Sequence, residues 1–451
     1  MLKYTNMSEK VANKEKIDDI LTRGVGEFID PDGVFRKKLE NNPENIIIKF
    51  GVDPTRPDIH LGHAVVLRKL RQLQDMGCKV IFLIGDITAQ IGDPTGKSQI
   101  RPEVNMVEIQ KNMKTYLDQV GKILNKESNV FDWITNSDWF VSINDIIVDD
   151  NPISKVEDKA KFWAQTRMQK NKNNLRNYSF INVLAVLRQI THGRLIERDM
   201  FQKRLKNGEP IFMHEMLYPV MQGIDSNVLF DVYGACDLEV GGTDQHFNML
   251  VGREVMEMNK RVPQSVLSFK LLEGTDGKEK MSKSLDNYIG ITDEPNNMYG
   301  KVMSIPDSSI GNYFELCTFT SLPEVEKIRR GILDDSIHPK EIKMDLAKQI
   351  VSIYHGEEKA EKAQENWENT FSKKEIPSDV PVVEVKEGDL FADVFTSSKI
   401  VSSKADFRRL VEEGAVTNMD TDEKVSSYND KVKDGVYKIG KKRFCKIKII
   451  K

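Results

Sequence analysis

Two short apolar runs, "NIIIKFGV" at 45–52 and "KVIFLIGD" at 79–86, flank a segment of different periodicity. In "HAVVLRKLRQLQDMG" (63–77), Val66, Leu67, Leu70 and Leu73 recur at helical spacing and Gly77 supplies a stop. Runs apolar on both faces are buried strands, and two of them joined by a helix form a right-handed βαβ unit. That unit predicts a doubly wound parallel α/β sheet of Rossmann type, with ligands outside the carboxyl ends of its strands. The chain has 451 residues, enough for several domains and a large core.

The rest of the chain divides by pattern. Residues 10–40 read as helical, with Ile17, Ile20 and Leu21 on one stripe. Residues 1–294 form the expected nucleotide-binding catalytic domain, with a mostly helical insertion over about 105–235 that carries a polar stretch near 145–185. "CDLEVGGTDQHFN" (236–248) reads as strand, turn and helix, and "FKLLEGTDGKEKMSKSLDNYIG" (269–290) as a strand followed by a mobile, cationic Gly/Lys/Ser-rich loop. Amphipathic helices follow at 295–370. Residues 371–390 have the Pro and charge content of a linker, and 391–451 form a small α+β unit. In that unit "SSKADFRRLVEEGAVTN" is a helix stopped at Gly414 and then a strand, and 435–450 is a hairpin.

Bulk properties exclude some classes. Four scattered cysteines match no metal or redox spacing, which suits reduced thiols in a cytoplasmic protein. No apolar run is long enough for a membrane span. With a net charge of −3, nucleic-acid binding has to come from local patches. The last 14 residues are such a patch, with seven basic side chains and no acid.

Of the seven histidines, two stand three apart in "HLGH" (60–63), at the first strand-to-helix junction. A helix start favours phosphate, and Gly62 lets a ring lie against the backbone. His60 and His63 are therefore placed to donate to a phosphate as charge builds. Read alone, they are equally two ordinary, partly buried histidines. "KMSKS" (280–284) sets Lys280 and Lys283 beside Met281 and Ser282 in a loop that can close on nucleotide phosphates; read alone it is a solvated basic loop. "YPVMQGID" (218–225) puts Tyr218, Gln222 and Asp225 on one polar helix face in an apolar segment.

Taken together, "HLGH" and "KMSKS" resemble the HIGH and KMSKS signatures of class I aminoacyl-tRNA synthetases, with Leu61 for the family's isoleucine. "YPVMQGID" and "VGGTDQHFN" resemble the tyrosyl-tRNA synthetases in particular. The resemblance implies a two-step, ATP-dependent attachment of L-tyrosine to tRNA(Tyr) through a tyrosyl-adenylate. It implies catalytic roles for Thr55, His60, His63, Lys280 and Lys283. Tyrosine would be held by Gly51, Asp93, Tyr218, Gln222, Asp225 and Gln245, with Asp225 accepting from the phenol. ATP would be held by Asp53, His60, Gly62, His63, Gly242, Asp244, Met281, Ser282 and Lys283. Mg²⁺ would travel with ATP, with no metal site of the protein's own. A homodimer is implied by the family. The tail resembles the small RNA-binding domain first known from a ribosomal small-subunit protein, with Arg408, Arg409, Lys441, Lys442 and Arg443 as phosphate contacts.

A buried carboxylate rewards a phenol and rejects phenylalanine, and the tyrosyl enzymes are the standard example of that discrimination. One position departs from the pattern. Many bacterial members carry a tyrosine where this chain has Lys49, which leaves pairing with Asp225 or a solvent-facing side chain as alternatives. The nearest rival is a tryptophanyl-tRNA synthetase, disfavoured by Gln222, "GGTDQ" and the tail. A non-catalytic RNA-binding protein has no need of the two intact signatures, and a nucleotidyltransferase with an H-x-G-H element leaves the tail unexplained.

Overall fold

The computed structural model describes residues 14–94, 106–140, 180–371, 380–386, 388–421, 423–440 and 443–450. The polar insertion near 145–185 therefore lies almost wholly outside the described residues, as do Lys441 and Lys442. The chain divides into two compact units, Met1–Asp293 with Ser304–Leu346, and Glu294–Met303 with Ala347–Lys451.

The first unit is built on a six-stranded sheet of order β1-β6-β5-β2-β3-β4. The strands are β1 (Val25–Ile29), β2 (Ile47–Val52), β3 (Lys79–Ile84), β4 (Phe131–Thr135), β5 (Leu238–Gly242) and β6 (Ser265–Phe269). The five strands from β6 to β4 are parallel; β1 runs antiparallel to β6 at the edge. Helix α1 (Leu61–Gln74) makes the β2–β3 crossover and buries Leu61, Leu67, Leu70 and Leu73. The βαβ reading and the doubly wound class are both borne out. The chain order steps one way through β2, β3 and β4 and then returns to β5 on the other side of β2. That switch point is where such sheets bind ligands.

Two local readings need correction, and a third stretch holds an element that its mostly helical pattern did not show. Residues 10–40 are not helical throughout, because Gly24, at φ +67°, ends the helical path and Val25–Ile29 continues as β1. The 105–235 stretch contains an edge strand, β4, beside helix α2 (Met106–Val120). Its "FDWIT" is too short a run for periodicity to separate it from helix. The strand ahead of the "KMSKS" loop is Ser265–Phe269, so it ends where it was expected to begin.

Helix α3 (Met213–Tyr233) packs on α4 (His246–Met258) and contributes Val220, Ile224, Val228 and Leu229 to the core behind the sheet. Gly223 permits that approach, since a Cβ there would lie 2.8 Å from Val255 Cγ2 and 3.2 Å from the Val251 carbonyl oxygen. Farther along, Arg23 and Arg68 donate to the carbonyls at the end of helix α5 (Ile310–Cys317). Arg23 reaches Phe314 O, Glu315 O and Thr318 O at 3.0–3.2 Å, and Arg68 reaches Leu316 O and Thr318 O. Cations at a helix carboxyl end satisfy its open acceptors.

In the second unit, the small C-terminal sheet has the order β7-β10-β9-β8, from β7 (Val382–Lys386), β8 (Val416–Asn418), β9 (Gly435–Ile439) and β10 (Arg443–Ile450). Strand β7 lies in the stretch expected to be linker. Its valines pair in parallel with Lys446–Ile450, a long-range partner that local composition does not reveal. The β9–β10 hairpin and the helix α6 (Lys404–Glu412) stopped by Gly414 follow the sequence reading. Phe407 of α6 is fully buried, with its ring 5.5 Å from Phe395 in an edge-on arrangement. Phe407→Ala removes the centre of this core and is expected to destabilise the C-terminal unit by about 3–5 kcal/mol. In a thermal melt of the full chain, the transition assigned to this unit moves down while the catalytic one stays in place.

Candidate functional site

The cleft follows from strand register. β2 pairs with β5 only at Ile48 and Lys49, whereas its ladder with β3 continues to Val52. Past Lys49, β2 and β5 part, and a cavity of about 560 Å³ opens there. All the residues expected to bind tyrosine or ATP line it, as do all five expected catalytic residues.

At the mouth, "HLGH" caps α1. His60 takes an extended backbone at the N-cap position, and its N–H donates to His63 Nδ1 at 3.4 Å. The ring centroids are 3.9 Å apart. A neutral ring that accepts at Nδ1 carries its proton on Nε2, so His63 has a fixed donor to offer. Burial lowers both imidazoles, with the lysines of the facing loop adding to it; His63 falls to about 3 and His60 well below its usual value. Both rings are therefore neutral at physiological pH. A Cβ on Gly62 would lie 3.0 Å from the His60 ring, so the missing side chain leaves room for that ring against the backbone.

The "KMSKS" loop is brought to "HLGH" by backbone pairing. Leu61 N donates to Ile289 O at 2.9 Å, and Ile291 N to Ile59 O at 3.0 Å. The loop also has an internal frame. Asn287 accepts from Ser282 N at 2.7 Å and donates to Asp276 Oδ2 at 2.9 Å, and Met281 is buried. Lys283 lies over the Tyr116 ring at 5.6 Å and donates to Arg56 O at 3.3 Å. Burial lowers its ammonium to about 8, partly offset by Asp58. Lys280 pairs with Asp244.

Deeper in, Tyr218 O–H donates to Asp53 Oδ2 at 2.8 Å, and Asp53 Oδ1 accepts from Thr88 Oγ1 at 2.8 Å. Gln245 Nε2 donates to Asp93 Oδ2 at 2.5 Å. At the floor, Asp225 is 2 % exposed and Trp139 Nε1 donates to its Oδ1 at 3.0 Å. Burial raises the Asp225 carboxyl to about 7, opposed chiefly by Lys49 and by hydrogen bonds from Trp139 and Asn136. Neither alternative for Lys49 holds. Its ammonium is fully buried and pairs with Glu239 at 2.9 Å.

Several supporting residues escaped the sequence reading. Asn112 and Gln119 on α2 donate to Pro54 O and Pro57 O at 3.0 and 2.7 Å, and Ile59 N donates to Gln119 Oε1 at 2.7 Å. They hold the 53–59 loop that leads into "HLGH". Their partners are backbone groups some 58–62 positions away, so no local motif marks them. Trp139 and Asn287 are equally silent in sequence. Glu239 had a signal, as one acid inside the apolar strand "LEVGG", matching one lysine inside "IIKFGV".

The expected RNA contacts lie on the C-terminal unit. Arg408 bonds Glu412 at 3.0 Å, Arg409 bonds Asp406 and Glu413 at 3.0 and 2.8 Å, and Arg443 donates to Ile400 O at 2.8 Å. Exposed i,i+4 pairs of this kind are weak.

Comparison with known proteins agrees with this geometry. The family described as "tRNA synthetases class I (W and Y)" matches residues 41–372. The chain is 39% identical over 432 residues to tyrosine–tRNA ligase 2 of Clostridium acetobutylicum, covering 95% of this chain and 97% of that one. It is also 39% identical to the tyrosine–tRNA ligase of Thermotoga maritima, over 95% and 96% of the two chains. In fold it is similar to a truncated Aspergillus nidulans mitochondrial tyrosyl-tRNA synthetase, with TM-score 0.57, 22% identity and coverage of 79% and 94%. A tyrosyl-tRNA synthetase of Archaeoglobus fulgidus, solved with L-tyrosine, gives TM-score 0.54 at 20% identity, over 78% and 99% of the two chains. With both signatures in one cleft, and relatives of this identity along nearly their whole length, the chain belongs to the tyrosyl-tRNA synthetases of class I.

Proposed function

We propose that the cleft carries out the ligase reaction through the residues gathered in it. The chain is a tyrosine–tRNA ligase: it joins tyrosine to ATP as an adenylate with loss of pyrophosphate, and then passes the tyrosyl group to tRNA with loss of AMP. The observation that carries the residue assignment is the convergence of "HLGH", the "KMSKS" loop and the Asp225 helix on one cavity at the sheet's switch point.

In this reading the tyrosine carboxylate attacks the α-phosphorus, and the oxygen bridging to the β-phosphate leaves. No side chain acts as a nucleophile. Catalysis comes from orientation and from donors aimed at the phosphate. His60 and His63 donate from the start of α1, and Thr55 lies on the same approach. Lys280, Lys283, Met281 and Ser282 close on the departing pyrophosphate. Nucleotide entry exchanges the Lys280–Asp244 pair: the ribose hydroxyls take Asp244 and Gly242, and the phosphates take Lys280. Asp53 contacts the nucleotide while orienting Tyr218. The α-ammonium meets Asp93, Tyr218 and Gln222, Gln245 lies beside the carboxyl end, and Gly51 leaves room for the ring. Asp225 accepts from the phenol.

Mg²⁺ enters on the ATP phosphates, which suits a cation that keeps several waters. Among the described residues, no cluster of three or more His, Cys, Asp or Glu is placed to hold a metal. We assign 1–294 to catalysis, 295–370 to the anticodon side of tRNA(Tyr), and the C-terminal unit, with Arg408, Arg409, Lys441, Lys442 and Arg443, to its phosphates. The working form is a homodimer in the cytoplasm. No helix among the described residues is long and apolar enough to cross a membrane.

Tyrosine-dependent ATP–pyrophosphate exchange tests the assignment. His63→Ala is expected to lower kcat about 10²–10³-fold, the effect of losing one preorganised donor, with KM for tyrosine within twofold of wild type. A matching rise in KM for tyrosine would contradict the role. Because both imidazoles are neutral well above their lowered values, kcat should show no histidine ionisation between pH 6 and 8.

The pH dependence of tyrosine binding tests Asp225. Its folded pKa, about 7, lies above the ordinary aspartate value, so its contribution to stability is complete below about pH 4 and is lost as pH rises through 7. Tyrosine offsets that loss by donating to the carboxylate. The rise in Tm produced by saturating tyrosine should therefore grow from pH 6 to pH 8 as KM for tyrosine falls. In Asp225→Asn both trends should disappear.

A further inference from the structure

Lys49 and Glu239 are direct partners across the β2–β5 ladder, at the last pair before the strands part. Their side chains are 0% and 2% exposed. Besides its 2.9 Å contact with Glu239 Oε1, Lys49 Nζ donates to Gln222 O at 2.7 Å and to Ser226 Oγ at 2.8 Å. Glu239 is fully engaged as well. Its Oε1 accepts from Gln222 Nε2 at 2.9 Å, and its Oε2 accepts from Ser226 Oγ at 3.1 Å and Gln264 Nε2 at 2.8 Å. Gly252 of α4 makes room for the cluster, because a Cβ there would lie 2.6 Å from Gln264 Nε2 and 3.0 Å from Glu239 Oε2.

Two consequences follow for the helix that reads the amino acid. Gln222 and Ser226 are one turn apart on α3 with Asp225 between them, so the pair clamps the recognition turn to the sheet. A carboxylate only accepts, so Gln222 must turn its amide nitrogen toward Glu239. That commits Gln222 Oε1, an acceptor, to the other side, where an ammonium donor suits it.

We propose that the buried Lys49–Glu239 pair is a positioning element for tyrosine recognition, setting the amide of Gln222 for the substrate ammonium and the place of Asp225 for the phenol. The inference rests on the reading of the cleft given above. It assigns Lys49 to Glu239 and the Gln222–Ser226 turn, in place of any contact of its own with the phenol.

Full-length wild type, Lys49→Met, Lys49→Arg and the double variant Lys49→Met/Glu239→Gln are compared in pyrophosphate exchange from pH 6 to 8. The groups facing Asp225 in that window are Lys49, Glu239, Trp139 and Asn136. Lys49→Met is expected to raise KM for tyrosine on the order of tenfold with KM for ATP within twofold, a loss of substrate positioning. The pH at which KM for tyrosine changes should move upward with the loss of the cation, and Lys49→Arg should restore it. Removing one partner leaves a buried charge unpaired, so Lys49→Met alone can fail to fold. The double variant leaves neither charge unpaired and is expected to show the same selective rise. A folded Lys49→Met or double variant with KM for tyrosine within twofold of wild type overturns the proposal. So does a parallel rise for both substrates. Wild type that gives no tyrosine-dependent exchange of pyrophosphate into ATP would instead overturn the cleft assignment beneath it.

Discussion

The parting of β2 from β5 is the constraint on which the site depends. A parallel sheet that continued its ladder would have no crevice; here pairing stops at Lys49 and the cleft begins. The last pair before the parting is charged. A buried ion pair loses much hydration and gains stability only if nearly every remaining donor and acceptor is satisfied. Gln222, Ser226 and Gln264 meet that condition for Lys49 and Glu239. The cost of burying two charges is thus met largely by groups on α3, with Gln264 just ahead of β6, so the stability of the fork and the geometry of the helix lining the cleft are one network.

A second network joins the two ends of the cleft. Tyr218 bonds Asp53, Asp53 bonds Thr88, and Asn136 Nδ2 reaches Thr88 Oγ1 at 3.2 Å. Asn136 in turn bonds Asp225, which also accepts from Trp139. Asp53 and Asp225, at the two ends of the cleft, are therefore tied through neutral hydroxyl and amide groups rather than through a cation. Their polarities differ to match. The floor is dry enough to raise Asp225, whereas at the mouth desolvation and two lysines keep the histidines uncharged. In the reading proposed above, a neutral donor near phosphate avoids a preformed cation that would bind ground state and transition state alike, which leaves more of its effect for the step that builds charge.

What the sequence disclosed followed contact range. The βαβ core, "HLGH", the "KMSKS" loop and the Asp225 helix are each written within about forty consecutive residues, and all were legible. Strand β1 was hidden because Gly24 and a five-residue run sit inside a helix-like stretch. Strands β4 and β7 were hidden because short edge strands take their identity from partners elsewhere in the chain. Asn112, Gln119, Trp139 and Asn287 carry no local pattern either; each is defined by the atom it meets. Lys49 was visible as a departure from the family pattern, but its partner was sought within the ligand site rather than across the sheet.

That misplacement has a physical lesson. A lysine in an apolar parallel strand flanked by other strands has no path to solvent, so its partner has to lie on the neighbouring strand or on the helix covering that face. The β5 run offers one acid, Glu239, and the covering helix offers Ser226 and the Gln222 carbonyl. Opposite single charges in two strands that end at the same crevice therefore announce their own register, because sliding either strand by one residue would turn one charge to the opposite face and leave both unpaired. In this enzyme the pair does more than specify register. It also ties the Gln222–Ser226 turn to the sheet, and in the proposal made above that tie sets the depth of Asp225 in the cleft.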